Sequence, residues 1–117
     1  MNTERTYYFQ NHFYLKIDDF LNATIGIRSE SEISKIVFLD LPEPSYKYSL
    51  GEEFIQIESA IDLYNVKAPA TCIVTEINKK LLQDPSSFCS NEDTWLASID
   101  IIDKYELEML EDIEDGF

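Results

Sequence analysis

The stretch "FIQIESAIDLYNVKAPA" (residues 54–70) has the pattern of a β-hairpin. Apolar Phe54, Ile55 and Ile57 form an ascending strand, a polar break follows, and the chain then heads back toward Val66 and Pro69. Alternating apolar residues bounded by polar residues are typical of strands joined by a turn. The tip of this hairpin holds Ala60, Ile61 and Asp62. A hairpin that displays its tip would therefore display an isoleucine.

The composition predicts one folded domain that spans residues 1–117. Hydrophobic residues make up 44% of the 117-residue chain and aromatic residues 13%, which is enough for a packed core. The formal net charge is -14, from 23 acidic and 9 basic residues. Such a charge disfavours nucleic acid and anionic membranes, because both need clustered Lys and Arg. It suits a protein that meets basic patches on other proteins.

Compartment and cysteine usage lead to a cytoplasmic assignment. The first 20 residues contain no uninterrupted apolar run of the kind found in secretory signals, and no stretch has the length of a membrane span. Cys72 and Cys89 are too few for a disulfide framework or a four-ligand zinc site. We expect Cys72 in the core, because it lies in an apolar run, and Cys89 in an exposed polar loop.

Most of the remaining sequence predicts short strands, since aromatic and β-branched residues dominate it. A polar segment, "PEPSYKYSLGEEF" (42–54), predicts a loop that bends last at Gly51. The two longest candidate arms of the hairpin are "FIQI" (54–57) and "ATCIVTEI" (70–77). The other predicted strands are "TYYF" (6–9), "FYLKI" (13–17), "ATIGI" (23–27), "KIVFLDL" (35–41) and "TWLASIDII" (94–102).

Three segments predict helices. Ser29 and Glu32 have the capping-box spacing, which predicts a helix of about two turns. Asn78 is expected to begin a second helix that ends before Pro85. The acidic segment 103–117 predicts a C-terminal helix whose apolar residues are Tyr105, Leu107, Met109, Leu110 and Ile113. Leu110 and Ile113 fall at helical spacing from Leu107, so we expect one narrow apolar stripe against the body of the domain.

Catalytic and metal-binding patterns are missing from the sequence. His12 is the single histidine, and there is no G-x-S-x-G, no Walker A loop and no G-x-G-x-x-G. One histidine and two distant cysteines make no zinc ligand set. Adjacent acidic residues point to opposite faces of a strand, so they do not indicate a carboxylate pair. We therefore expect no enzyme and no metal, but a binding module or a carrier domain.

A series of short motifs then points to a family through its order and spacing. The chain resembles the H protein of the glycine cleavage system, a lipoyl carrier, over nearly its whole length. The matching elements are Tyr8 with His12, Tyr14 where the family prefers Trp, Gly26-Ile27, "IVFLDLP" (36–42), Gly51-Glu52, Glu58-Ser59, Pro69, "VTEINKKLLQDP" (74–85), Trp95-Leu96 and the acidic "ELEMLED" (106–112).

This resemblance implies a mostly β, lipoyl-domain-like barrel-sandwich hybrid with short helices and a C-terminal helix. It also implies lipoate on a lysine at the hairpin tip, where the family reads E-S-V-K-A. Residues 58–62 read E-S-A-I-D here, and Pro69 keeps its distance from Glu58, so no gap restores a lysine. Ile61 stands at the attachment position and has no amine. We therefore expect no lipoate on this chain.

Two further departures concern the neighbourhood of the tip. Tyr64 and Asn65 stand where the family usually has a serine followed by an acidic residue. Lys67 is the nearest lysine, six residues past Ile61, and the resemblance places it on the return arm. Lys79 and Lys80 begin the second predicted helix.

Three functional hypotheses follow from the resemblance and its departures. The first is a non-lipoylated, non-catalytic binding or regulatory relative, whose partners are glycine-cleavage or lipoate-metabolism enzymes or an unrelated protein. The second is a working group carrier modified at another lysine, and the third is a purely structural subunit. For binding, Ile61 either anchors a partner or folds back onto the barrel. The candidate partner-binding residues are Glu58, Ser59, Ile61, Asp62 and Tyr64.

Overall fold

The structure is a computed structural model that describes residues 4–29 and 31–113, the last five by their backbone alone. Strands dominate it, as the sequence predicts. In chain order they are β1 (Arg5–Phe9), β2 (Phe13–Ile17), β3 (Asn22–Ile27), β4 (Phe38–Asp40), β5 (Lys47–Tyr48), β6 (Glu53–Glu58), β7 (Leu63–Lys67), β8 (Cys72–Ile77) and β9 (Thr94–Ile101). Helical segments are the α-helix α1 (Lys79–Gln83) and two 3₁₀ helices, Pro85–Ser87 and Lys104–Ile113.

Two antiparallel sheets enclose one core. The large sheet has six strands in the order β1-β2-β3-β9-β8-β5, and the small sheet has three in the order β4-β6-β7. Buried residues alternate with exposed ones in β4 and β8, whereas β2 and β3 bury several consecutive residues. The largest fully buried side chains come from both sheets and from the segment before β4, and they include Phe13, Leu15, Ile25, Ile33, Ile57 and Leu96.

The opening hairpin is β6 and β7, and its return arm differs from the prediction. β7 runs back directly after the tip, with Glu58 opposite Leu63 and Glu53 opposite Lys67. The segment "ATCIVTEI", predicted as an arm, instead supplies β8 of the large sheet, where Cys72 pairs with Ile101. Both segments have strand-like composition, and composition does not identify the pairing partner. Lys67 does lie on the return arm, as the resemblance implies.

The segment after β3 is not the predicted helix. Residue 29 lies in a turn, residues 31, 32 and 37 lie in bends, and residues 33–36 have no regular structure. The Ser31 hydroxyl accepts a hydrogen bond from the backbone N–H of Ile33, and the Asp93 carboxylate accepts one from that of Ser29. Such side-chain acceptors offer the backbone an alternative to helical hydrogen bonds. Ile33 and Ile36 are buried, so the segment closes the core with an irregular backbone.

Of the other two predicted helices, one is confirmed and one is of a different type. α1 begins after Asn78, whose side chain accepts a hydrogen bond from the N–H of Leu81, so this prediction is confirmed. The C-terminal segment is a 3₁₀ helix rather than an α-helix. Leu107 packs against the core, as the predicted stripe requires, while Tyr105 is exposed. The side chains from Met109 onward and residues 114–117 lie outside the described part.

The lengths of two other segments also differ from the sequence prediction. "KIVFLDL" forms a strand over Phe38–Asp40 alone, and the predicted loop 42–54 contains the short strand β5. The bend at Gly51 is confirmed by its positive φ of 84°. Cys72 is buried and Cys89 exposed, as expected. No helix among the described residues combines the length and the apolar character that crossing a bilayer requires.

At Gly26 the large sheet has no room for a side chain. A Cβ at this position would collide with the backbone oxygen of Thr94 on β9 and with the phenol ring of Tyr14 on β2. A β-bulge lies between Ile25 and Gly26, where the pairing with β9 shifts. Glycine inside a strand often marks a bulge or a close approach of another backbone, and here it marks both.

We predict that Gly26→Ala lowers the free energy of unfolding by about 1–3 kcal/mol or more, because overpacking against a backbone atom cannot relax easily. The matched control is Gly51→Ala, where a Cβ meets no atom but the φ of 84° is unfavourable. This control should cost about 1 kcal/mol. Urea denaturation measures both, and a smaller loss for Gly26→Ala than for Gly51→Ala would contradict the packing argument.

We predict that the buried side chains of Tyr14 and Cys72 make the fold less stable at high pH. Burial, and secondarily Asp93, raises the pKa of Tyr14 from 10.0 to about 12. Burial, with smaller contributions from Glu52 and Glu106, raises the pKa of Cys72 from 9.0 to about 12. Both groups are neutral when protonated. As the pH rises, the unfolded chain loses these protons at a lower pH than the folded chain does. Their contribution to stability is therefore complete below pH 9 and falls as the pH rises to about 12.

The expected slope is about 1.4 kcal/mol per pH unit for each group in its own window. Denaturation at a series of pH values measures it. Tyr14→Phe should remove the part that begins near the ordinary tyrosine pKa of 10.0, and Cys72→Ala the part that begins near the cysteine value of 9.0. A free energy of unfolding that stays constant up to pH 11 would show that burial raises the pKa of neither group.

Candidate functional site

The tip of the β6–β7 hairpin is a four-residue turn organised by Ser59. Its hydroxyl accepts hydrogen bonds from the N–H groups of Ile61 (3.3 Å) and Asp62 (3.0 Å). The same hydroxyl donates to the carbonyl oxygen of Asp62 (3.2 Å), and the Ser59 N–H donates to that oxygen at 2.8 Å. Serine hydroxyls commonly stabilise turns in this way. Ser59 is buried, so its polar atoms serve the turn and are not presented to solvent.

Ile61 projects from this turn into solvent. Its side chain is 88% exposed, the largest value among the exposed large hydrophobic residues. The alternative that Ile61 folds back onto the barrel is therefore wrong. Ala60 and Asp62 beside it are also exposed, and Asp62 accepts a hydrogen bond from the N–H of Leu63. The turn thus holds Ile61 at its apex through the backbone, while the Ile61 side chain remains almost fully exposed.

Tyr64 lies just inside the tip and connects it to the large sheet. It pairs with Ile57 across the hairpin, and its ring meets the ring of His12 edge to face, with 4.9 Å between centroids. Partial burial raises the pKa of Tyr64, and the carboxylates of Asp62 and Glu32 act in the same direction. A side-chain hydrogen bond with Ser59 opposes these effects. Tyr64 is therefore a neutral, half-buried residue behind the apex.

A second link between hairpin and large sheet comes from Gln10, which the sequence did not single out. Gln10 lies in the β1–β2 turn with a φ of 50°. Its amide nitrogen donates to the carbonyl oxygen of Asn65, and its amide oxygen accepts from the N–H of Lys67, both at 3.0 Å. β7 is an edge strand, so these bonds satisfy backbone groups that would otherwise be unpaired. No local pattern predicts this contact, because 55 or more residues separate the partners.

The remaining candidate residues do not form a catalytic centre. His12 contacts the rings of Phe13 and Tyr64, and its Nδ1 is buried without a hydrogen-bond partner in the structure. Within residues 4–29 and 31–113, no group of three or more His, Cys, Asp or Glu residues could hold a metal ion. The turn at residues 59–62 contains no lysine.

The outer face of the small sheet adds residues that the sequence argument missed. Glu58 is exposed and pairs with Phe38 on one side and Leu63 on the other. Phe38 and Leu63 are each 48% exposed, and Val37 is 51% exposed. For Phe38, the signal that could have found it is the alternation of "FLD" (38–40), in which Leu39 faces the core and its neighbours face outward. Candidate residues Glu58 and Ile61 thus lie among further exposed apolar side chains.

We predict that Ser59→Ala loosens the tip and lowers the free energy of unfolding by about 1–2 kcal/mol, because two turn N–H groups lose their acceptor. The control is Ser49→Ala in the turn before β6, since Ser49 is exposed and its hydroxyl has no partner in the described part of the chain. The control should change stability by less than about 0.5 kcal/mol. Thermal or urea denaturation measures both, and equal effects would show that the Ser59 network contributes nothing.

Comparisons with known proteins agree on one family. A family model described as "Glycine cleavage H-protein" matches residues 6–116. A glycine cleavage system H protein from Clostridium botulinum is 35% identical over 108 residues, which cover 88% of this chain and 81% of that protein. One from Halothermothrix orenii is 34% identical over 113 residues, which cover 92% of this chain and 86% of that protein.

A solved structure supports the fold independently. The crystal structure of a glycine cleavage system H protein from Mycobacterium marinum superposes with a TM-score of 0.66 at 22% identity. The superposition covers 90% of this chain and 94% of that one. The expected lipoyl-domain-like barrel-sandwich hybrid is thereby confirmed.

Proposed function

The chain belongs to the glycine cleavage H-protein family, and we propose that it is a member that carries no lipoyl group and acts by binding another protein. In this proposal it has no catalytic residue and no cofactor. Its partners are glycine-cleavage or lipoate-metabolism enzymes that recognise the H-protein surface, or a protein outside that system. The residues proposed to meet the partner are Glu58, Ile61 and Asp62, with Ser59 holding the turn beneath them and Tyr64 supporting it from the core side.

The single observation that carries the proposal is the isoleucine at the apex of the tip. A lipoyl group is attached as an amide, and an amide requires an amine on the side chain. Ile61 has none, yet its side chain is 88% exposed at the apex of the turn. The Ser59 network keeps the turn intact around it. The display geometry is thus present, while the side chain on display is apolar.

Lys67, Lys79 and Lys80 are poorly placed to replace the missing amine. Lys67 pairs with Glu53 at the opposite end of the hairpin, four residues beyond Leu63 and therefore about 13 Å along the strand. Its backbone N–H is held by Gln10. Lys79 and Lys80 lie in α1, which follows β8 of the large sheet. This placement supports the non-lipoylated reading over a carrier modified elsewhere.

Intact mass spectrometry tests the proposal. The chain is expressed with lipoate and an active lipoate ligase, beside an authentic H protein as a positive control. We expect the wild-type mass to be unmodified and Ile61→Lys to gain one lipoyl group, because the substitution restores an amine at an exposed turn.

Lipoylation of the wild-type chain would contradict the proposal. If the wild-type chain gains a lipoyl group and Lys67→Arg abolishes the gain, the chain is a group carrier and the proposal is wrong. Lys79→Arg and Lys80→Arg, tested in the same way, show whether either of these two lysines is the attachment point.

A further inference from the structure

We propose that the partner binds the outer face of the small sheet, through an apolar surface formed by Val37, Phe38, Ile61 and Leu63 around Glu58. We call this surface the tip patch. Its occupant is a protein surface with an apolar pocket rimmed by lysine or arginine. This inference rests on the proposed binding function and specifies the interface and the chemistry of the partner.

The β-pairing makes the tip patch continuous. Phe38 lies opposite Glu58, and Glu58 lies opposite Leu63, so the three side chains form one row across the sheet. Directly paired residues in antiparallel strands point to the same face, and neighbouring strands are about 4.8 Å apart. Phe38 and Leu63 therefore flank Glu58 at a mutual distance of about 10 Å. The Val37 N–H donates to the Glu58 carbonyl oxygen at 2.8 Å, which holds Val37 beside the row.

The patch is not part of the core. On the opposite face of the same strands, Leu39 and Ile57 are buried and Tyr64 packs against the core. The four residues of the tip patch are each about half exposed or more. Single exposed apolar residues are common, whereas several adjacent ones indicate an interaction site.

The charges around the patch define the partner. Glu58 stands in its centre, Asp62 follows Ile61, and Asp40 lies on the same face as Phe38 because it is two residues further along the strand. Among the described residues no lysine or arginine makes an ion pair with any of these three carboxylates. Lys35 is the single basic residue in segment 31–40. An apolar surface with unpaired carboxylates is complementary to an apolar pocket with a basic rim.

A second copy of this chain fits the patch poorly. A two-fold symmetric contact would bring Glu58 against the same residue of the other copy. Each chain also carries a formal charge of -14, so the two would repel each other. Neither repulsion arises with a basic partner.

The geometry of the patch is also fixed before binding. The Ser59 hydroxyl holds the turn that carries Ile61, and Gln10 holds β7, which carries Leu63. A preorganised surface loses less conformational entropy when it binds. Ile61 is therefore suited to be the anchor that enters the pocket of the partner.

Selection from a displayed random-peptide library tests the inference. Peptides are selected on the wild-type chain alone, and the binding of the survivors is then measured on the wild type and on the triple variant Phe38→Ser, Ile61→Ser, Leu63→Ser. We expect the survivors to combine Lys or Arg with aromatic or aliphatic residues. Ile61→Ser alone should weaken their binding about tenfold or more. Glu58→Gln should weaken it and reduce its dependence on salt, because one attraction is lost.

The matched control is Phe20→Ser. Phe20 is an exposed aromatic residue in the β2–β3 turn, outside the tip patch, and its substitution should leave peptide binding unchanged. Circular dichroism on each variant confirms that the fold is retained.

Three results would overturn the inference. They are survivors that bind wild type and triple variant equally, survivors of neutral or acidic composition, and a wild-type dimer in sedimentation that Ile61→Ser dissociates. These failures differ from failure of the proposed function. Lipoylation is read from the mass of the chain and does not depend on which peptides bind.

Discussion

The large sheet depends on a close approach of backbones at Gly26. β3 lies between β2 and β9, and at this residue the Thr94 backbone oxygen and the Tyr14 ring occupy the space that a side chain would need. The bulge beside it shifts the pairing with β9. Bulges bend a strand and increase its twist. The curvature that lets six strands wrap one side of the core therefore rests on a position that tolerates glycine alone.

The small sheet is connected to this scaffold by side chains as well as by the core. Gln10 bonds the backbone of β7, and His12 meets the ring of Tyr64, so the β1–β2 turn holds the hairpin from one side. An edge strand with its backbone groups satisfied is protected from adding a foreign strand. The tip is consequently held in position while its outer face stays open to a partner.

On the proposed function, the hairpin keeps its display structure although it carries no displayed group. The turn is built from the Ser59 hydroxyl and backbone groups, so its shape does not depend on the side chain of residue 61. A substitution at a fully exposed position has little effect on stability. An isoleucine can therefore replace an amine-bearing residue there without cost to the fold. On the proposed function, this surface offers an apolar contact within an acidic region instead of a covalent attachment point.

By itself the sequence determined the features that depend on neighbouring residues. The hairpin tip, the Asn78 cap of α1, the bend at Gly51 and most strands follow from turn, capping and alternation patterns. The family and the absence of lysine at residues 59–62 were also readable there. The tertiary structure decided which strand returns from the tip and turned the expected helix after Ser29 into an irregular plug. It alone brought Phe38 and Leu63 to either side of Glu58, because strand pairing joins residues that are distant in sequence, and no local periodicity specifies the partner.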